Sequence, residues 1–242
     1  MQPAEHLVHF ENDIARLGEI RGDQLADPVG ACPDWDVGSL IHHLGGVHRW
    51  AQSCIESVDP SEPPPFPDDT NATGDRLVAW LVEGARSLQD RLAVADTATT
   101  FPSWAGPRSA AWWTRRATLE TAVHRWDAQA ASGRPDPLDI ALARDGIDEW
   151  LDLQLLRRWQ PPVAVRGSIH LHGTDGEGEW LIEIDETLSW TSGHRKGDVA
   201  IRGPLSDLYL MMWRRIPAAR LEVIGDGEFL QRFLDSLSTP RR

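Results

Sequence analysis

The stretch SLIHHLGGVHRWAQSC, Ser39–Cys54, decides how the first part of the chain folds. Its Leu40, His43, Leu44, Val47, Ala51 and Cys54 recur at the spacing of one face of an α-helix. The same pattern runs outward on both sides. Leu7, Phe10, Ile14 and Leu17 mark a helix before it, and Leu77, Leu81, Ala85, Leu88 and Leu92 mark one after it. A fourth runs from about Trp112 to Ser132, where Gly133 and Pro135 stop it. Four amphipathic helices suffice for a bundle, and a fifth periodic stretch, from about Leu138 to Trp159, serves as a bridge onward. The connection from Val58 to Thr70 holds Pro60, Pro63, Pro64, Pro65 and Pro67 and is expected to be an extended crossover; a second long one runs from about Asp96 to Ala111.

Past Pro161-Pro162 the period changes. Val163–His172, Trp180–Ile184, Val199–Arg202 and Leu221–Ile224 are short, rich in β-branched residues and bounded by Gly and Asp, as strands are. Leu205–Trp213 and Glu228–Leu237 read as helices among them. The expectation is a two-domain chain, with a four-helix bundle over 1–160 and a small α+β domain over 161–242.

Composition narrows the function. The 24 basic and 37 acidic residues give a net charge of −13, which repels phosphate backbones and anionic lipid, so neither nucleic acid nor a membrane surface is an expected partner. The N-terminal residues lack the basic and unbroken apolar regions of a signal peptide, and no apolar run approaches the roughly 20 residues that span a bilayer. A cytoplasmic protein is expected, as a monomer or weak homodimer. Cys32 and Cys54 match no disulfide framework or zinc ribbon and read as buried, reduced thiols. Most of the 12 tryptophans are expected in the core.

The chemistry concentrates on two helices. Glu120 and His124 project from one face of the fourth, one turn apart, with Asp127 beside them. On the second, His43 shares the inward stripe, His42 falls roughly 100° away, and His48 lies off the stripe as a surface or supporting group. A buried histidine facing a Glu-x-x-x-His pair is accounted for by a divalent cation, because an unpaired buried carboxylate is costly. Two imidazoles and one carboxylate leave a coordination position open, as in catalytic zinc or a non-haem iron facial triad. The plainer alternative is a core histidine and a solvated Glu/His pair, and spacing alone does not choose.

Two motifs do choose. Cys32-Pro33-x-Trp35-Asp36-Val37-x-x-Leu40-x-x-His43-Leu44 followed by Val47-His48-Arg49-Trp50, and Glu120-x-x-x-His124-Arg125-Trp126-Asp127, resemble the metal motifs of the mycothiol-dependent maleylpyruvate isomerase family, a branch of the DinB-like bundles. Ile201-Arg202-Gly203-Pro204-x-Ser206-Asp207-Leu208, Trp213-Arg214-Arg215 and Leu221-x-Val223-x-Gly225-Asp226 are similar to its sterol-carrier-like C-terminal domain. The family usually has a hydroxyl residue after the tryptophan; Asp36 takes that N-cap position here.

The resemblance implies zinc, or another divalent metal, on His43, Glu120 and His124, and mycothiol as the low-molecular-weight thiol cosubstrate. It implies a metal-bound thiolate attacking a small-molecule electrophile, in a maleylpyruvate-type cis–trans isomerase or a thiol S-transferase. Arg215 matches an arginine the family places at its active site, and a solvated arginine at a helix C-terminus is the competing reading. Asp127 is a candidate to hold a ligand imidazole, or else lies in solvent. Arg125 is expected to pair with Asp127 or Asp148. A metal-water hydrolase and a non-catalytic carrier of apolar ligands are the alternatives.

Overall fold

The computed structural model describes residues 1–67, 70–155 and 165–237, and the chain divides into two compact units, Met1–Asp136 and Pro137–Arg242. The first is the expected bundle of α1 (Pro3–Leu17), α2 (Val37–Glu56), α3 (Asp75–Val94) and α4 (Ala110–Ala131). α1 packs on α3 and α4, and α2 packs on the same two, so α2 and α4 are neighbours. Phe10, Leu40, Leu44, Leu81, Leu88 and Leu119 are fully buried at its centre. Each such side chain contributes about 1.5–3 kcal/mol by leaving water.

Local chemistry sets the helix ends. Asp36 caps α2 by accepting from the Ser39 amide at 2.7 Å, the role expected of it, and Ser109 caps α4 through the Trp112 amide at 3.2 Å. Gly133, at φ 76°, ends α4 in the left-handed conformation that glycine adopts without penalty. The proline-rich connection folds back on α2, where Trp50 Nε1 donates to the Pro64 carbonyl at 2.8 Å and Phe66 stacks on the Trp50 ring. The second connection, expected as plain loop, holds a two-residue hairpin of β1 (Thr100–Phe101) and β2 (Arg108–Ser109), too short to leave an alternation in the sequence.

In the second unit, α5 (Ile140–Glu149) runs on into one π-helical stretch, Trp150–Leu155. Five strands follow: β3 (Gly167–Gly173), β4 (Glu179–Ile184), β5 (Leu188–Ser192), β6 (Val199–Gly203) and β7 (Glu222–Gly225), with α6 (Leu205–Met212) and α7 (Gly227–Ser236). The sheet order is β5-β4-β3-β6-β7, antiparallel except for the parallel β3–β6 pair. Ile169, Leu171, Ile182 and Ile201 point to the face where Trp150, Met211, Met212 and Phe233 pack. The opposite face carries His170, His172 and, across the β3–β4 register, Glu179.

Two features depart from the sequence reading. β5 is an edge strand, LSWTS, whose mostly polar residues carry little strand signal. The division falls between Asp136 and Pro137 rather than at 160/161, because α5 packs on α6: Gly146 lies so close to the Tyr209 ring that a Cβ would sit 2.6 Å from it. Trp180 Nε1 also donates to Asp148 on α5, at 2.6 Å. Pro161, Pro162 and Val163, where the domain break and first strand were expected, lie outside the described residues. Among the described residues no helix is long and apolar enough to cross a membrane.

Candidate metal centre

His43 comes from α2, and Glu120 and His124 from α4. Glu120 Oε1 lies 3.2 Å from His124 Nε2 and 3.6 Å from His43 Nε2, and the three donor atoms all fall within 4.8 Å of one another. The i,i+4 spacing puts both α4 groups on one face, and the α2–α4 packing brings His43 to them. The site opens to one side. His124 is 7% exposed, Glu120 21% and His43 36%, so His43 is not the buried, inward histidine the stripe suggested. Leu40 and Leu44 take the core, and His43, one position round the helix from Leu44, stands at its margin. The Trp35 ring packs against His43 at 4.9 Å and His124 at 6.3 Å, giving the opening an indole wall.

Two buried charged groups orient the donors. Asp127 Oδ2 accepts from His124 Nδ1 at 3.0 Å, and its carboxylate is fully buried, so the solvent-exposed reading fails. Arg116, one turn before Glu120, donates to Glu120 Oε2 and leaves Oε1 toward the histidines. Burial alone would raise the Glu120 carboxyl, but Arg116, His124 and His43 outweigh it and hold it well below the ordinary range. Burial would likewise lower His124, yet Asp127 and Glu120, one at each ring nitrogen, push it up to about 9. The pocket therefore favours positive charge on the side of His124 that faces the other two donors. One anchored imidazole, one carboxylate with a single oxygen to spare and a second imidazole at the mouth fit a divalent ion with an open coordination position.

The other sequence candidates fall elsewhere. His48, expected at the surface or in support, is fully buried. It lies 2.9 Å from the Thr121 hydroxyl and edge-on to Phe10. Its Nδ1 has no hydrogen-bond partner among the described residues, and desolvation pushes it down to about 3, so it is a neutral imidazole in the bundle. His42 faces Trp80 on α3. Arg125 pairs with Asp13 across the bundle, at 3.0 Å, a partner not weighed in the sequence because α1 and α4 are far apart in the chain. Arg215, in the second unit, is half-buried, donates to the Trp213 carbonyl at 3.0 Å and lies over the Trp213 ring. Cys54 is buried as expected, with its thiol pushed up to about 12, whereas Cys32 is only half-buried.

Sequence reading missed Arg116 and gave Trp35, a member of the first motif, no role at the site. Arg116 had a signal, its i,i+4 spacing to Glu120 on the same face. Trp35 precedes α2, and no periodicity assigns it a neighbour. The tryptophans also divide differently from expectation. Trp113, Trp126, Trp150, Trp180 and Trp213 are buried, but Trp35, Trp50, Trp80, Trp104, Trp112 and Trp190 are half-exposed. Trp50 and Trp113, each seven residues from a candidate site residue (His43 and Glu120), meet edge-to-face at 5.7 Å and continue the α2–α4 seam as aromatic packing.

Known proteins match both units. Residues 9–129 match the mycothiol maleylpyruvate isomerase N-terminal domain, and residues 141–232 the MDMPI C-terminal domain. Two uncharacterised proteins of Mycobacterium tuberculosis, from strains CDC 1551 and H37Rv, are each 32% identical over 133 residues, which is 53% of this chain and 66% of theirs. The chain thus spans just under two thirds of the length of these relatives. A crystal structure of a histidine-to-alanine mutant of mycothiol-dependent maleylpyruvate isomerase shares the fold, with TM-score 0.68 at 10% identity over 92% of this chain and 93% of that one. A second structure of that isomerase gives TM-score 0.63 at 12% identity with the same coverage. With one family model on the bundle and its companion on the α+β unit, the chain belongs to the mycothiol maleylpyruvate isomerase family.

Proposed function

We propose that the protein is a zinc-dependent, mycothiol-using enzyme acting on a small electrophile, as a cis–trans isomerase or a thiol S-transferase, in the reducing cytoplasm. The observation that carries this reading is the donor trio His43, Glu120 and His124 with its two buried supports, in a chain of this family. A divalent ion held there lowers the pKa of a thiol, so that thiolate is available at neutral pH. Asp127 keeps the Nε2 lone pair of His124 aimed at the site, and Arg116 holds the Glu120 carboxylate. Trp35 walls the opening beside His43 and is the indole nearest an incoming cosubstrate. Addition of the thiol to a cis double bond conjugated to a carbonyl, rotation about the resulting single bond and expulsion of the thiol give the trans isomer. Retention of the thiol gives the S-transferase product.

The apolar gap inside the second unit does not favour the carrier alternative. The gap among Trp150, Ile169, Leu171, Met212 and Phe233 measures 10 Å³, room for no more than about one water.

Cobalt-substituted protein tests the reading. Added mycothiol should produce a thiolate-to-cobalt charge-transfer band, and His43→Ala, Glu120→Ala and His124→Ala should abolish both metal and band. Turnover of an amide without thiol, with the spectrum unchanged, replaces the reading with a metal-water hydrolase. We assign Arg215 the task of meeting a substrate carboxylate or developing enolate. Arg215→Ala should lower kcat/KM about 10–100-fold for a carboxylate-bearing electrophile, the worth of one charge-assisted hydrogen bond. An equal loss on a neutral electrophile would leave Arg215 a structural role only.

A further inference from the structure

The open face of the second unit's sheet gathers three histidines around one carboxylate. His170 and His172, two apart on β3, point the same way, and Glu179 on β4 is the cross-strand partner of His172. Gly193, at φ 113°, turns the chain after β5, and its amide donates to the Glu179 carbonyl at 2.9 Å, which brings His194 back over the sheet. Glu179 Oε2 lies 3.1 Å from His170 Nε2 and 2.6 Å from His194 Nδ1, and Oε1 lies 3.2 Å from His172 Nδ1. All four donor atoms fall within 4.8 Å of one another.

We propose that His170, His172, Glu179 and His194 form a second metal site, for zinc or a similar imidazole-seeking divalent ion, that fastens the segment after β5 to the sheet. Ligands of a tetrahedral zinc at imidazole distances stand roughly 3.3 Å apart, close to the spacings found here. The donor set is three imidazoles and one carboxylate, which suits zinc, copper or nickel and not magnesium or calcium. Three ligands stand on paired strands and are preformed, with His170 buried beneath the others; only His194, 78% exposed, has to be ordered. Four protein ligands make this a closed, structural site, unlike the open trio on the bundle.

The test removes the first site and counts what remains. The full-length His43→Ala/His124→Ala protein, dialysed against low-micromolar zinc, should retain one zinc per chain by elemental analysis. Adding His194→Ala or His172→Asn, both at accessible positions that should spare the fold, should weaken that zinc by at least about 10–100-fold, the cost of losing even a supporting group. Zinc should also slow amide exchange over residues 193–198 in the His43→Ala/His124→Ala protein. Failure of that protein to bind zinc, or a zinc indifferent to His172 and His194, overturns the second site and leaves the first untouched. A wild-type protein with a single zinc that survives His43→Ala/His124→Ala and is lost with His194→Ala supports this site and overturns the bundle site.

Discussion

His124 has a carboxylate at each ring nitrogen, and the two play different parts. Asp127 is fully buried and accepts from Nδ1, so it fixes which nitrogen faces the donor trio. Asp127→Asn keeps the shape but turns an acceptor that matches the Nδ1–H into an amide able to donate, which favours the wrong tautomer. Metal affinity measured by competition with a chelating dye should fall about 10–100-fold while all three ligands remain. Unchanged affinity would mean that Asp127 only fills the core. Glu120 and His124 were legible as a pair in the sequence because an i,i+4 spacing on a helix has one geometry, while the choice of a metal and of His43 as its third donor came from the resemblance. The histidines on β3 were not legible, since nothing in a single sequence states that Glu179 lies opposite His172 or that His194 folds back over them.

At the level of elements, α2 carries the information that periodicity reads and also the exception it cannot. Gly45 and Gly46 interrupt the helix in its middle, where glycine costs about 1 kcal/mol relative to alanine. Contacts explain both. A Cβ on Gly45 would lie 2.1 Å from the Trp80 ring of α3, and the Arg49 guanidinium lies 3.9 Å from the centroid of the same ring. A Cβ on Gly46 would meet only Phe66, an exposed residue of the proline-rich connection, at 2.8 Å. Gly45→Ala should therefore destabilise by about 1–3 kcal/mol through overpacking, despite its gain in helix propensity. Gly46→Ala should be close to neutral, as Phe66 shifts and propensity compensates. Urea denaturation of the two variants checks the contrast; equal effects would mean that the Trp80 packing does not hold α2 to α3.

For the whole molecule, apolar periodicity marked every helix of the bundle but not which neighbour covers each one, and the division at 136/137 differs from the expected 160/161 for that reason. α5 reads in sequence as a bridge out of the bundle, yet its Leu142, Ala143 and Ile147, with Trp150 and Leu151 of the stretch it runs into, are buried in the second unit. His43, Glu120, His124, Arg116, Asp127 and Trp35 all lie before Asp136. Residues 1–136 expressed alone should fold cooperatively and bind one divalent metal. Residues 1–160 should carry the same bundle plus an uncovered apolar helix, and so should self-associate in light-scattering measurements where the shorter fragment stays monomeric. If 1–136 is unfolded by circular dichroism while 1–160 is a well-behaved monomer, α5 is part of the bundle's folding unit and the boundary returns to 160/161.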